Sequence, residues 1–326
     1  HDMTSTVPDT FVVKGVSTYY DKEGRPRGQW VKSSLDHERW GEILKKIASG
    51  MADSIRPLPS APAPIHQTNP DLLNCFVLTD CHLGMLAWHE EGGQNWNLKI
   101  AERVIEDVFD LMVTSSPAAE TAFIAQLGDW LHFDGLSPIT PASGHVLDAD
   151  TSYAKVIRAG TRQIRRLVSH ALESHEKCVL LLAEGNHDDS SSQWVQVMFE
   201  ALYEKEPRVE VIVSAKPFYG YKHGDTSLFF HHGHKRRGKS LAPVLAAEFR
   251  QMWGSTKKSY GHTGHLHNEL EEGVPGIKVI QHPTLAARDA YAARHGFVSE
   301  RQASALTYSA RFGVVGRDVV TPEMVI

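Results

Sequence analysis

Five short polar motifs, spaced along the chain and mostly set at the ends of apolar runs of strand length, constrain this sequence more than any other feature. Leu73 to Leu78 leads into Thr79-Asp80-Cys81-His82, and Phe123 to Leu127 into Gly128-Asp129. Cys178 to Ala183 leads into Gly185-Asn186-His187-Asp188, and Leu228 to Phe230 into His231-His232-Gly233-His234. Gly264-His265-Leu266-His267 follows a helical pattern over Leu241 to Trp253. Between the early runs the apolar period switches to that of a helix. Ile100, Val104, Ile105, Val108 and Leu111 fall on one face of Leu98 to Met112, and Tyr153 to Glu173 is a second helix. Val209 to Val213, Ile277 to Gln281 and Gly313 to Val320 complete the expected strands. A buried strand that delivers a polar motif and then a helix, repeated, predicts an α/β fold whose site gathers at the carboxyl ends of its strands.

The first 70 residues read differently. Residues 11–34 predict a β-hairpin turning at Asp21-Lys22-Glu23-Gly24, and Trp40, Ile43, Leu44, Ile47 and Met51 predict an amphipathic helix after Leu35. Pro57, Pro59, Pro62, Pro64 and Pro70 then exclude a helix and favour an extended linker. The expected division is a small module over 1–70 and a catalytic domain over 71–326. His1-Asp2 before Met3 reads as a tag remnant, and no signal peptide is expected.

Composition narrows the function classes. The net charge of −5 speaks against a surface made to wrap long nucleic acid, though not against a local basic patch. Three Cys without paired spacing provide neither a disulfide framework nor a zinc knuckle, which fits a reducing, cytoplasmic location. The longest apolar run, Cys178 to Ala183, falls far short of the roughly 20 residues a membrane helix needs. Nineteen His are present, and seven of them (His223, His231, His232, His234, His262, His265, His267) share one 45-residue window.

The chemistry of these motifs is that of a metal site. Asp80 and His82, two apart at a strand end, are expected on one side of the backbone where both can grip one ion, and His265 and His267 share that spacing. Carboxylate oxygens together with imidazole nitrogens suit Mn, Fe, Zn or Ni better than Ca or Mg. Asp129 can bridge two ions, and Asn186 offers a neutral oxygen donor.

In order, the five motifs resemble the D-x-H, G-D, G-N-H-[DE], lone His and G-H-x-H signature of the calcineurin-like metallophosphoesterases, over roughly Leu73 to Gln281. The resemblance implies two facing mixed β-sheets with helices outside, four layers in all. It implies a dinuclear site in which one ion takes Asp80, His82, Asp129 and His267, and the other takes Asp129, Asn186, His232 and His265. Two ions about 3.5–4 Å apart would supply a bridging hydroxide as nucleophile. His187 would be the general acid, oriented by Asp188. His232, directly before Gly233, fits the lone-His form better than His231, whose side chain belongs to the opposite strand face.

Several neighbours carry open alternatives. His234 either touches substrate or caps the next helix; His262 and His223 read as structural. The stretch Gly128-Asp129-Trp130-Leu131-His132-Phe133-Asp134 lacks the close second Asp of many relatives. Asp134 can support a loop there, while Trp130 and His132 offer either a stacking or phosphate contact or core packing. Lys235-Arg236-Arg237-Gly238-Lys239 is either a solvated face or a patch that grips a polyanion, with Arg288 a weaker candidate of that type. The hairpin–helix–Pro arrangement also resembles phage-type phosphoesterases. The expected activity is phosphodiester hydrolysis on DNA or RNA. The alternatives are a small-molecule phosphodiesterase or phosphomonoesterase and, in another class, a non-catalytic scaffold on the same fold.

Overall fold

The computed structural model describes residues 11–35, 64, 67–141 and 144–325. The helix expected after Leu35 and most of the Pro-rich run lie outside them. Two compact units divide the chain, His1–Ser54 and Ile55–Ile326. In the first, β1 (Phe11–Tyr20) and β2 (Pro26–Leu35) form the expected antiparallel hairpin, with Val16 opposite Val31 and Ser17 opposite Trp30. Asp21 Oδ1 closes its turn by accepting the Glu23 and Arg25 N–H groups at 3.1 and 2.8 Å.

The second unit holds two sheets. The six-stranded sheet has the order β13-β12-β3-β4-β5-β6: Gly313–Val320, Ala303–Ser309, Asn69–Leu78, Ala119–Gln126, Lys177–Leu182 and Val209–Ile212. From β3 to β6 every pairing is parallel, while β12 pairs antiparallel with both β3 and β13. The five-stranded sheet has the order β10-β11-β9-β8-β7: Leu270–Val274, Ile277–Gln281, Lys258–Thr263, Thr226–Phe230 and Tyr219–His223. Its inner strands β11, β9 and β8 run parallel.

Period-2 alternation decides which face each residue serves. Leu73, Cys75 and Val77 of β3, Phe123 and Ala125 of β4, and Val179 and Leu181 of β5 form one core with Tyr219, Leu228, Phe230, Tyr260 and Ile280 of the other sheet. The sheets therefore meet face to face, and Phe123 stacks on Phe230 across the seam at 4.8 Å and 13°. The alternate residues face outward: Phe76 meets Phe109 of helix α1 (Leu98–Ser115) edge-on at 5.3 Å. α1, α2 (Tyr153–Ser174) and α3 (Asp189–Tyr203) cover this outer face. Beyond the five-stranded sheet, Phe229, Ile277 and Val279 pack with Leu241, Ala242 and Leu245 and with Phe249, Met252 and Trp253. The result is the expected four-layer α/β sandwich.

One local expectation changes, and strands appear where none was expected. The helix read over Leu241 to Trp253 breaks at Phe249 (φ −113°, ψ 39°) into α4 (Ala242–Glu248) and α5 (Arg250–Gly254). Two fully inserted strands, β9 and β12, have no apolar run at all. β12 is buried along its whole length, with Thr307 Oγ1 donating to Asn74 Oδ1 at 2.9 Å and Ser309 Oγ to Asp71 Oδ2 at 2.6 Å. In β9, His262 bonds the Tyr308 hydroxyl at 3.0 Å and His282 Nε2 at 2.9 Å, so it is structural as expected. These bonds satisfy several of the polar groups that the two strands bury, which makes a polar strand tolerable in a core.

Phe123→Ala, which empties the centre of the seam, should cost about 3–5 kcal/mol of unfolding free energy. Urea melts followed by circular dichroism would measure it, and a loss below 1 kcal/mol would contradict the packing described.

Candidate active site

Because β3, β4 and β5 run parallel, the loops after them leave from one edge, and the same holds for β8 and β9 of the facing sheet. The loops stay in register past the strands. Asp80, His82 and Leu83 donate their N–H groups to the carbonyls of Gly128, Asp129 and Trp130 at 3.1, 3.0 and 2.8 Å, and Gly264 N–H donates to the His232 carbonyl at 2.7 Å. Five loops from two sheets thus deliver their side chains to one place.

The backbone reaches this arrangement at a conformational cost. Among the described residues, the non-glycine positions with positive φ are Asp80 (52°), His82 (45°), Asp129 (51°), His265 (73°) and His267 (58°). All five are sequence-derived ligand candidates. The extended, alternating geometry expected for Asp80/His82 and His265/His267 is therefore corrected. Each pair converges because both members are left-handed, a conformation that costs about 1–3 kcal/mol per residue and persists where the surroundings enforce it. Two glycines leave room for the close approach. A Cβ on Gly185 would lie 2.0 Å from Asp129 Oδ1, and one on Gly264 would lie 2.0 Å from Thr79 Oγ1 and 2.6 Å from Asp80 Oδ2.

The side chains form two groups. The ligand atoms of Asp80, His82 and His267 lie within 4.8 Å of one another, as do those of Asp129, His232 and His265. In the first group, Asp80 Oδ1 is 3.1 Å from His267 Nε2, while its Oδ2 accepts the Thr79 hydroxyl at 2.6 Å and the His265 N–H at 2.9 Å. In the second, His232 Nδ1–H donates to the Leu127 carbonyl at 2.8 Å, which turns Nε2 inward. That Nε2 faces Asn186 Oδ1 at 3.1 Å and Asp129 Oδ2 at 3.3 Å. Asp129 Oδ2 also lies 4.0 Å from His82 Nε2, so this carboxylate stands between the two groups.

Lone pairs of three donor types pointed at one another are unfavourable unless a cation or proton sits among them. The titration behaviour says the same. Burial pulls the His232 imidazole down, but Asp129 and Asp80 outweigh it and push it up to about 9. Burial raises Asp80 and Asp129, yet the surrounding imidazoles, His267 and His232 foremost, hold both below the usual carboxylate range. Burial and the neighbouring His187 take His82 down to about 3, and burial with His232 takes His265 down to about 4. His82 and His265 are thus held in the neutral form that ligates, whereas His232 and His267 are raised by the carboxylates and would give up a proton where a divalent ion takes its place. The seven residues present therefore fit such ions.

His187 is half-buried beside them, its ring 4.8 Å from that of His82. Its N–H donates to Asp129 Oδ1 at 2.9 Å, and its Nδ1 meets the main-chain carbonyl of His132 at 2.8 Å. The expectation that Asp188 orients this ring is corrected. The buried Asp188 carboxylate instead accepts the N–H groups of Asp129, Leu131 and Gly185 at 3.2, 2.9 and 3.1 Å. It braces two ligand loops, and burial with the nearby Asp129 pushes its pKa up to about 8.

The remaining candidates sort by exposure. His132 is 2% exposed, stacked on His187 at 5.5 Å, so a direct substrate contact through its ring is corrected. Trp130 is core, its Nε1 donating to the Gly160 carbonyl at 3.3 Å. Asp134 accepts the N–H groups of Ser190 and Ser191 at 2.6 and 2.8 Å and so fastens the start of α3, a helix that the sequence reading missed. His231 is fully buried, accepts the Gly233 N–H at 2.7 Å and stacks on Phe218, leaving the ligand role to His232. His223 bonds the Asp71 carbonyl at 2.9 Å beside its turn. His234 lies 3.9 Å from Glu184, which also takes the Lys235 ammonium at 2.8 Å. Arg236, Arg237 and Lys239 are exposed and carry no ion pair among the described residues. Arg288 is partly buried.

No protein-family model matches this sequence, and no curated protein does either. Solved structures are similar to it at low identity. An archaeal phosphodiesterase is 12% identical, with a TM-score of 0.38 over 76% of this chain and 98% of its own. A Streptococcus pneumoniae protein described as a predicted phosphoesterase is 13% identical, with a TM-score of 0.33 over 77% of this chain and 91% of its own. The phosphopantetheinyl hydrolase of Mycobacterium tuberculosis is 10% identical, with a TM-score of 0.31 over 70% and 93%.

Gly185→Ala should push Asp129 out of place and lower the affinity for Mn²⁺ at least about tenfold, the scale seen when a ligand's support is removed. Calorimetric titration of metal-free protein measures it; parent-like affinity would show that the close approach is not required.

Proposed function

We propose that this chain is a dinuclear metal-dependent phosphoester hydrolase. One observation carries the reading: Asp80, His82, Asp129, Asn186, His232, His265 and His267 converge from five loops of two sheets, with Asp129 between the two groups. One ion would be held by Asp80, His82, Asp129 and His267, and the other by Asp129, Asn186, His232 and His265. Mn is the ion best suited to this oxygen and nitrogen set, with Fe, Zn and Ni as alternatives. When bound, such a pair supplies Lewis acidity, an activated water near neutral pH and compensation of charge on the phosphoryl oxygens.

The chain's own contribution is orientation and a proton. With its Nδ1 held by the His132 carbonyl, His187 can release a proton only from Nε2. Its imidazolium form gives that proton to the departing alkoxide and remains a neutral ring, still bonded through Nδ1. The complete ligand set and an available His187 speak against a non-catalytic scaffold. Buried, unpaired Cys75, Cys81 and Cys178 fit a cytoplasmic setting, and no helix among the described residues is long and apolar enough to cross a membrane.

For the substrate we propose the phosphodiester backbone of DNA or RNA, because the unpaired cations Arg236, Arg237 and Lys239 follow directly on the His232 loop. A small phosphoester is the second reading, favoured by the net charge of −5 and by Lys235 being neutralised on Glu184.

Reconstitution with excess Mn²⁺ should load two ions per chain, counted by elemental analysis, and one ion or none would remove the dinuclear reading. In the same preparation His187→Ala should keep both ions and lose about 10²–10⁴-fold in turnover on diesters with poor leaving groups. With p-nitrophenyl esters, whose leaving group hardly needs a proton, the loss should be smaller; equal losses would exclude a general-acid role.

Neutralising Arg236 and Arg237 together separates the two substrates. On oligonucleotides the double variant should raise KM and flatten the salt dependence of binding, by a slope of about 0.7 per lost contact for single strands. Turnover of bis-p-nitrophenyl phosphate should stay near that of the parent. Unchanged cleavage of DNA at every salt concentration would make the small phosphoester the substrate class.

A further inference from the structure

His132 touches two functional groups at once, through two different parts of itself. Its main-chain carbonyl receives His187 Nδ1 at 2.8 Å. Its imidazole Nδ1 lies 3.4 Å from His82 Nδ1, the rings edge-to-face at 5.3 Å. Two imidazole nitrogens at that separation interact favourably only when one carries the hydrogen and the other does not. For His82 the choice is set by its other nitrogen. Nε2 is the atom directed at Asp129, and a ligating nitrogen carries no proton, so the His82 hydrogen belongs on Nδ1. His132 Nδ1 is then the acceptor and its own hydrogen sits on Nε2. Nε2 makes no hydrogen bond among the described residues. A buried imidazole with so little else to bond is poorly explained as filler, since an apolar side chain would occupy the space without an unsatisfied nitrogen.

We propose that His132 is a positioning residue that sets the orientation of both His82 and His187. Its imidazole accepts the Nδ1–H of His82 and so aims His82 Nε2 at the cation group, while its carbonyl accepts the Nδ1–H of His187 and so aims the proton-donating Nε2 outward. The inference rests on the reading of His82 as a ligand and His187 as the acid. It adds that one residue, standing three positions after Asp129, ties the two together. The hydrogen bonds of the two halves are separable by substitution, because a change of side chain removes the bond to His82, and with it the stack on His187, but leaves the carbonyl that holds His187 Nδ1. Side-chain variants should therefore weaken the ion held by Asp80, His82 and His267 and spare the proton-transfer step.

The test is calorimetric titration of metal-free parent, His132→Ala, His132→Asn and His132→Gln with Mn²⁺. An Asn amide oxygen can stand where Nδ1 stands, whereas a Gln oxygen is carried one bond too far. His132→Ala should weaken one of two sites about 10–100-fold, His132→Asn should restore most of that affinity, and His132→Gln should not. At saturating Mn²⁺ all three should keep the parent's difference between poor and good leaving groups. Parent-like affinity in His132→Ala overturns the proposal, as does equal behaviour of Asn and Gln, or equal weakening of both sites. A raised KM for bis-p-nitrophenyl phosphate with unchanged affinity also overturns it, since the ring would then be a substrate contact. If His132→Ala does not fold, the Asn and Gln pair decides. A parent that binds no Mn²⁺ removes the metal reading and this proposal together, whereas a parent that binds, beside an Ala variant that binds equally, removes the proposal alone.

Discussion

Two carboxylates, Asp80 and Asp129, are buried among imidazoles that belong to another sheet, and most of the second unit is arranged so that this can be so. A buried carboxylate is costly unless opposite charge and hydrogen bonds surround it. Here the N–H of His265 reaches Asp80 from the five-stranded sheet, and the N–H of His187 reaches Asp129 from within its own sheet. His267 and His232 then approach the same carboxylates from the facing sheet. The three approaches from the facing sheet require the sheets to lie face to face with their parallel edges aligned. The stacked Phe123 and Phe230, a few residues behind the loops, fix that alignment by apolar contact.

Rigidity and reactivity are consequently divided between strands and loops. The core alternates without interruption up to Leu78, Gln126 and Leu182, and polar chemistry begins directly beyond. Asp188, although adjacent to the proposed acid, serves this boundary by collecting three N–H groups from the Asp129 and Gly185 loops. Its partners are main-chain atoms, and a side chain that binds main chain leaves no pattern in the residues it holds.

That distinction explains what could and could not be read from the sequence. The candidate ligands were legible because each is a metal-binding residue type in a short motif, most of them beside glycine, and those glycines were legible for the same reason. The roles of Asp188 and His132 were not, since they depend mainly on contacts 50 to 59 residues apart and partly on a carbonyl that every residue possesses. Strands with apolar runs were found near their true limits, Ile277–Gln281 and Gly313–Val320 among them. β9 and β12 escaped because their apolar residues, such as Tyr260, Leu306 and Tyr308, alternate with polar ones and form no continuous run, and some of those polar residues are held by pairwise hydrogen bonds such as Thr307 to Asn74. Phe249 fits the helical period across α4 and α5, so the break between them has no mark in the apolar spacing.

The left-handed backbone at Asp80, His82, Asp129, His265 and His267 sets two demands against each other. Glycine is the residue that takes this conformation without strain, and glycine cannot coordinate anything through a side chain. At each of the five positions the demands of folding and of chemistry thus select different residues. A glycine at any of the five would relieve the backbone and remove a metal-binding side chain in the same step, so stability is gained there only by giving up a candidate ligand.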